Sequence, residues 1–242
     1  MSRGRGALLA AACTALVAAC GSSDPKEPEE PALPPLGPVV AAAPAPGTPI
    51  TDPQDLMNRL LSENDLPPGM SAVLDSNNGP GNTPTSAVVP QTRPAGCEKV
   101  LMPLSEQRPE NLAANFAIYN GPNFSSIDID AASYSNEAVA AVFSEVQQTI
   151  RNCIRYSGAD SDEAVIEYRL GGLEQPPVGD ASTAFQLRTS SEGFTLVSLV
   201  GIVQVGNTLA QVSVTAPESV DPGVLSDLTA AQVRKLRGIT GP

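Results

Sequence analysis

The run Phe194-Thr-Leu-Val-Ser-Leu-Val-Gly-Ile-Val-Gln-Val205 constrains this chain more than any other stretch. It is apolar at nearly every position, whereas a strand with one solvated face alternates. A run of this kind belongs at the centre of a sheet, with protein covering both faces. Around it lie three further strand candidates, at 164–170, 182–189 and 208–215. Gly206-Asn207 is a two-residue hairpin signal between the last pair, and residues 190–193 can turn the pair before them.

Upstream, residues 112–119 and 124–131 alternate around the turn Asn120-Gly121-Pro122-Asn123, which predicts a hairpin. Asp128 and Asp130 then share the face opposite Ile127 and Ile129, a solvated face on this pattern. Two carboxylates at strand spacing also fit a cation site or an acid and base pair, and Glu163 is a further carboxylate candidate. The acidic turn at 158–163 lacks the glycine and distal glutamate of a calcium loop.

Two helices are well marked. Val139, Val142, Phe143, Val146, Ile150 and Cys153 fall within one arc of about 100°, with Ser135 as cap. Asp221 and Pro222 open a closing helix that carries Leu225, Leu228 and Leu236, and Arg234, Lys235 and Arg237 precede Gly238 at its end. An earlier helix begins at the Thr51-Asp52-Pro53-Gln54 capping box and presents Leu56, Met57, Leu60 and Leu61, with a strand expected at 70–74. Residues 76–96, rich in Asn, Gly, Pro and Thr, read as a slack loop or a flap over a site, with slack favoured.

The N-terminus carries an address. Behind Arg3 and Arg5, a thirteen-residue apolar stretch at 7–19 runs into Leu16-Val17-Ala18-Ala19-Cys20-Gly21. That is too short to span a bilayer and has the form of a lipobox. Residues 1–19 are expected to be a signal peptide and Cys20 a diacylated anchor on the outer face of the membrane, two chains holding more firmly than one. Residues 20–50 hold nine prolines with alanines and show no apolar period, so they read as a disordered tether, and the folded domain is placed at 51–242.

Removal of the signal takes Cys13 with it and leaves Cys97 and Cys153 as a pair. In an exported domain this suggests a disulfide, two buried thiols being the alternative. Closing a separation of 56 residues contributes about 4 kcal/mol on the chain-entropy model. The mature chain carries 12 basic against 26 acidic side chains, 14 less Arg3 and Arg5, which disfavours nucleic acid and anionic lipid surfaces as partners. With no histidine and no tryptophan, the common Ser-His and Cys-His nucleophile pairs are excluded, the commonest zinc ligand is missing, and no cofactor or metal is expected.

Leu60-Leu61-Ser62, the helix ending in Asn152-Cys153, Val178-Gly179-Asp180-Ala181 and Val203-Gln204-Val205-Gly206-Asn207-Thr208-Leu209 together resemble the actinobacterial lipoproteins related to the PknH-like extracellular sensor domain. The resemblance covers roughly residues 51–240. It implies a single α+β domain with a curved antiparallel sheet, helices packed on it and a ligand cleft. It departs from the kinase-linked pattern in having no kinase and one cysteine pair in place of two disulfides. No ligand residue carries over, since Gly179 and Gly206 read as turn glycines. The expectation is a noncatalytic, membrane-anchored sensor or ligand-binding domain for a small molecule or peptide. The alternatives are an envelope lipid carrier with an apolar cavity between the central strand and the two main helices, and a carboxylate hydrolase.

Overall fold

The computed structural model describes residues 32–73 and 91–239. Cys20 and the 76–90 part of the expected loop lie outside them. The described strands are β1 (Ser71–Ala72), β2 (Gln91–Arg93), β3 (Ala113–Asn120), β4 (Ser126–Ser133), β5 (Arg155–Ala159), β6 (Val165–Gly172), β7 (Ala181–Ser191), β8 (Phe194–Val205) and β9 (Thr208–Pro217). The helices are α1 (Pro53–Met57), α2 (Leu104–Gln107), α3 (Val139–Asn152) and α4 (Pro222–Leu236). All strands join one antiparallel sheet in the order β1-β3-β4-β9-β8-β7-β6-β5-β2. The expected α+β class is the one observed.

β8 sits in the middle of that order and is buried from both sides. Val197, Leu199 and Val203 share a core with α1 and α4 through Leu56, Leu225 and Leu228. Val200 and Ile202 face the other way, into a core built with Val142, Phe143 and Val146 of α3. Two-sided burial is the reason the strand carries no alternation. α4 comes close to β8 at Gly201, where an added Cβ would stand 3.1 Å from the Thr229 hydroxyl.

The helix ends follow their sequence signals at α4 and shift at α1 and α3. α3 begins at Val139 behind Ala138, and Ser135, expected as its cap, accepts from Ala138 N at 3.3 Å in the turn before it. Asp52, not Thr51, caps α1: its side chain accepts from Gln54 N, with Pro53 at the first helical position. α1 then stops at Met57, which is exposed, while Leu60 and Leu61 reach the core from the turn that follows. Asp221 caps α4 by accepting from Gly223 N. Cys97 and Cys153 form the disulfide, with Cα atoms 5.6 Å apart and both residues buried. It ties the end of α3 to the turn after β2, at the edge where β2 pairs with β5.

The segment expected as a tether at 20–50 is described from residue 32 onward. Residues 33–50 carry no helix or strand, yet the compact unit begins at Leu33 and not at residue 51. Gly172 N donates to Pro34 O at 2.8 Å, so the segment continues the edge that β5 leaves open. Further along, Leu36, Val40, Ala42 and Ala45 pack against the α3 core. Gln147 accepts from Val40 N at 2.8 Å and donates to Val40 O at 2.9 Å. Gln204 repeats the pattern on Ala43, at 2.8 and 2.9 Å. Proline and alanine composition marks a segment without its own period, but cannot reveal that distant side chains will satisfy its backbone. We call residues 33–45 the strap.

Gly171 and Gly172 make room for it. A Cβ on Gly172 would lie 2.1 Å from Pro35 O, and one on Gly171 2.5 Å from Leu33 Cβ. Gly172→Ala should therefore lift the strap from the sheet edge while leaving the body folded. We expect a loss of about 1–3 kcal/mol in stability and at least roughly tenfold faster proteolytic cutting within 33–45, since local opening controls cleavage; unchanged cutting would contradict it. Reducing Cys97–Cys153 should cost about 2–5 kcal/mol by denaturant melt.

Candidate ligand cleft

The loop between β6 and β7 is fixed at both ends. Gln175 Nε2 donates to Pro222 O at 3.1 Å, tying the loop to the start of α4. Val178 N donates to Ser182 Oγ at 3.0 Å. Asp180 Oδ2 accepts from Gly206 N at 2.7 Å and its Oδ1 accepts from Arg237 at 2.8 Å. Gly179 has φ +70° and sits against Gln204 O, where a Cβ would be 2.6 Å away. The turn-glycine reading holds here for both a conformational and a steric reason.

Between this loop, the strap at 37–40, the β7–β8 surface and α4 lies a cleft of about 480 Å³. Leu173, Val178, Ala184, Val203 and Leu225 supply aliphatic surface, and Ser182, Thr183, Ser226 and Thr229 supply hydroxyls. Among the described residues Glu174 is the one charged member of the lining, and none of them is a cation or carries an aromatic ring. Thr229 Oγ1 is already committed, donating to Leu225 O at 2.6 Å. Such a lining suits a neutral, largely aliphatic ligand and offers nothing to neutralise an anion.

The paired carboxylates are elsewhere, and the expectation of a solvated face fails for Asp130. It is 7 % exposed, and its Oδ1 accepts from Leu104 N at 2.9 Å. The cover is α2, a four-residue helix with too few positions to show a period. Burial pushes the Asp130 carboxyl up to about 7, aided by the charges of Asp128 and Glu106 and opposed by the Leu104 hydrogen bond. Asp128 is half-buried and also raised by burial, with Ser126 Oγ donating to it at 2.9 Å in opposition. Glu163 stands on the exposed turn that follows β5, at φ +64°. None of the three lines the cleft. Among the described residues no group of three His, Cys, Asp or Glu side chains is placed to hold a metal ion.

The sheet and its two helical layers define a fold already known for an extracellular domain. The extracellular domain of PknH from Mycobacterium tuberculosis matches with a TM-score of 0.57 over 79% of this chain and 98% of that one, at 12% identity. At that identity the likeness is one of fold, and it bears out the fold expected from the sequence resemblance. A putative uncharacterized protein (Rv0999 ortholog) from Mycobacterium smegmatis aligns over 77% of this chain and 97% of its own, at 13% identity and a TM-score of 0.39. No family model matches the chain, and no curated protein does.

Asp130 yields a pH test. Its folded pKa lies above the ordinary aspartate value near 3.9, so the native state holds the proton that the unfolded chain releases between about pH 4 and 7. The resulting stability is fully present below pH 4 and is lost as pH rises through about 7. Asp130→Asn keeps an acceptor for Leu104 N and removes the titration. Relative to the parent, it should gain up to about 4 kcal/mol between pH 4 and pH 8 in denaturant melts. A pH-independent difference would refute the assignment.

Proposed function

We propose that this protein is a noncatalytic, extracytoplasmic ligand-binding domain of the sensor type, held at the membrane by a diacylated Cys20. The observation that carries the reading is the 480 Å³ cleft, whose aliphatic surface and hydroxyls are presented by the strap, a pinned loop, the sheet and α4. Its volume suits a small molecule or a short aliphatic group. The disulfide fits an oxidising compartment, and the likeness to an extracellular domain points the same way. The absence of histidine from the sequence removes the usual general base, and the buried carboxylates lie away from the cleft.

An envelope lipid carrier would need open volume between β8 and both main helices. On the α3 side that space is filled by Phe143, Val146, Val200 and Ile202, which favours a binding domain over a carrier. With the strap docked, twelve residues, 21–32, separate Cys20 from Leu33, a reach of no more than about 45 Å when extended. On this reading the domain works close to the membrane surface.

Native mass spectrometry of the oxidised full chain, purified from an actinobacterial membrane, tests the binding reading. The expected result is a copurifying small mass that Ala184→Trp, which fills the cleft, reduces at least tenfold. An adduct equally abundant in the filled variant would place binding elsewhere, and a bare parent chain that gains no thermal stability in envelope extract would overturn it. Cys20→Ser should move the protein from the membrane to the soluble fraction; continued membrane retention would remove the anchor from the proposal.

A further inference from the structure

The strap is held in an unusual way. Gln147, 4 % exposed, and Gln204, 0 % exposed, each pair their amide with both the N–H and the C=O of one strap residue. The residues read, Val40 and Ala43, are three apart, the repeat of an extended polyproline helix. Recognition is thus of main chain. The side chains that enter the core alongside are small or aliphatic, and the further polar contacts described on this stretch are again to backbone, Gly172 N donating to Pro34 O and Arg151 to Gly37 O. A groove of this design fits an extended segment of proline and alanine, with free N–H groups at two set positions. It fits that segment equally well whichever copy of the chain supplies it.

The connection beyond the strap permits a change of supplier. Pro46, Gly47 and Pro49 lie between Ala43 and Ile50, which packs with the opposite core. Gly47 has φ +140°, and nothing lies within 4 Å of where its Cβ would be. Vacating the groove would take from two buried glutamine Oε1 atoms the strap N–H groups they accept from, while their Nε2 groups keep Phe143 O and Gly206 O, a cost that exchange avoids and simple release does not. We infer that the groove formed by α3, Gln204 and the free edge at Gly172 is a docking site for an extended segment that passes between copies. In the monomer it holds the chain's own strap, and in a dimer it holds the strap of a second copy. This does not depend on the ligand assigned to the cleft. It does link the two sites, because Gly37, Pro38 and Val40 also wall the cleft.

Complementation between two full-length variants tests the exchange. Val40→Pro with Ala43→Pro removes the two N–H donors but keeps an extended backbone, giving a sound groove with a defective strap. Gln147→Ala with Gln204→Ala gives the reverse. Each should be monomeric alone by native mass spectrometry, and mixing them should yield a 1:1 heterodimer protected from proteolysis within 33–45 of the groove-defective partner. No heterodimer from two folded, oxidised variants would overturn the proposal.

Hydrogen exchange on the parent chain decides the matter if a variant fails to fold. Exchange of the strap requires the Val40 and Ala43 amides to open at least roughly tenfold more often than those of β8. Opening only with global unfolding would refute it.

Discussion

A buried amide without a partner costs more than a formed hydrogen bond returns, and three of the four buried glutamines among the described residues meet that constraint with one segment. Gln147, Gln204 and Gln232 are buried on α3, β8 and α4 respectively. Each pairs its amide with main chain from residues 40–61, Gln147 and Gln204 donating also to Phe143 O and Gly206 O. Gln147 takes Val40 and Gln204 takes Ala43, while Gln232 accepts from Leu61 N at 3.0 Å and donates to Arg59 O at 2.9 Å. The body of the domain is therefore incomplete without its N-terminal segment. That segment in turn has little regular structure to stabilise itself, and its order comes from amides more than a hundred residues away in sequence.

Charge is used sparingly but in the same direction. α4 ends in Lys235 and Arg237, which complement the helix dipole. Lys235 also pairs with Asp65 at 2.6 Å and Arg237 with Asp180 at 2.8 Å. One helix end thus gathers the turn after α1 and the loop that walls the cleft. These pairs are partly exposed and of modest strength singly. Their value is positional, since they add a tie to one helix end to the side-chain hydrogen bonds that already hold both loops. The cleft walled by the second of these loops is mostly aliphatic and hydroxyl-lined, with Glu174 its charged residue.

Features written in local pattern were legible in the sequence. β8 was marked by its unbroken apolar run, α3 by its stripe, α4 by Asp221, Pro222 and Gly238, and the disulfide by counting cysteines after signal removal. The features that escaped have no period of their own. β2 and β5 are three and five residues long, and α2 is four. Asp130 looked solvated because alternation reports which face a residue takes, not what later covers that face. The cleft was expected only through the family resemblance, and none of its lining was legible, Gly179 and Gly206 marking turns. A better signal lay in the glutamines: Gln147 borders the apolar arc of α3, and Gln204 is an amide inside the most apolar strand. A polar group placed where burial is certain announces a partner, though its identity must wait for the fold.

The strand order has a consequence for how the chain holds together. β1 lies at one edge of the sheet and β2 at the other, so residues 33–73 and 91–239 meet in the fold but are covalently joined through a single connection. Cys97–Cys153 closes a ring wholly inside the second piece and adds no bond between the two. A cut in that connection would leave a two-fragment complex, its halves kept together by Leu56, Leu60 and Leu61 in the core and by the three glutamine amides. Were Cys20 lipidated as proposed, the smaller fragment would keep the membrane and the larger would keep the sheet apart from β1. Shedding of the domain would then be governed by a dissociation rate.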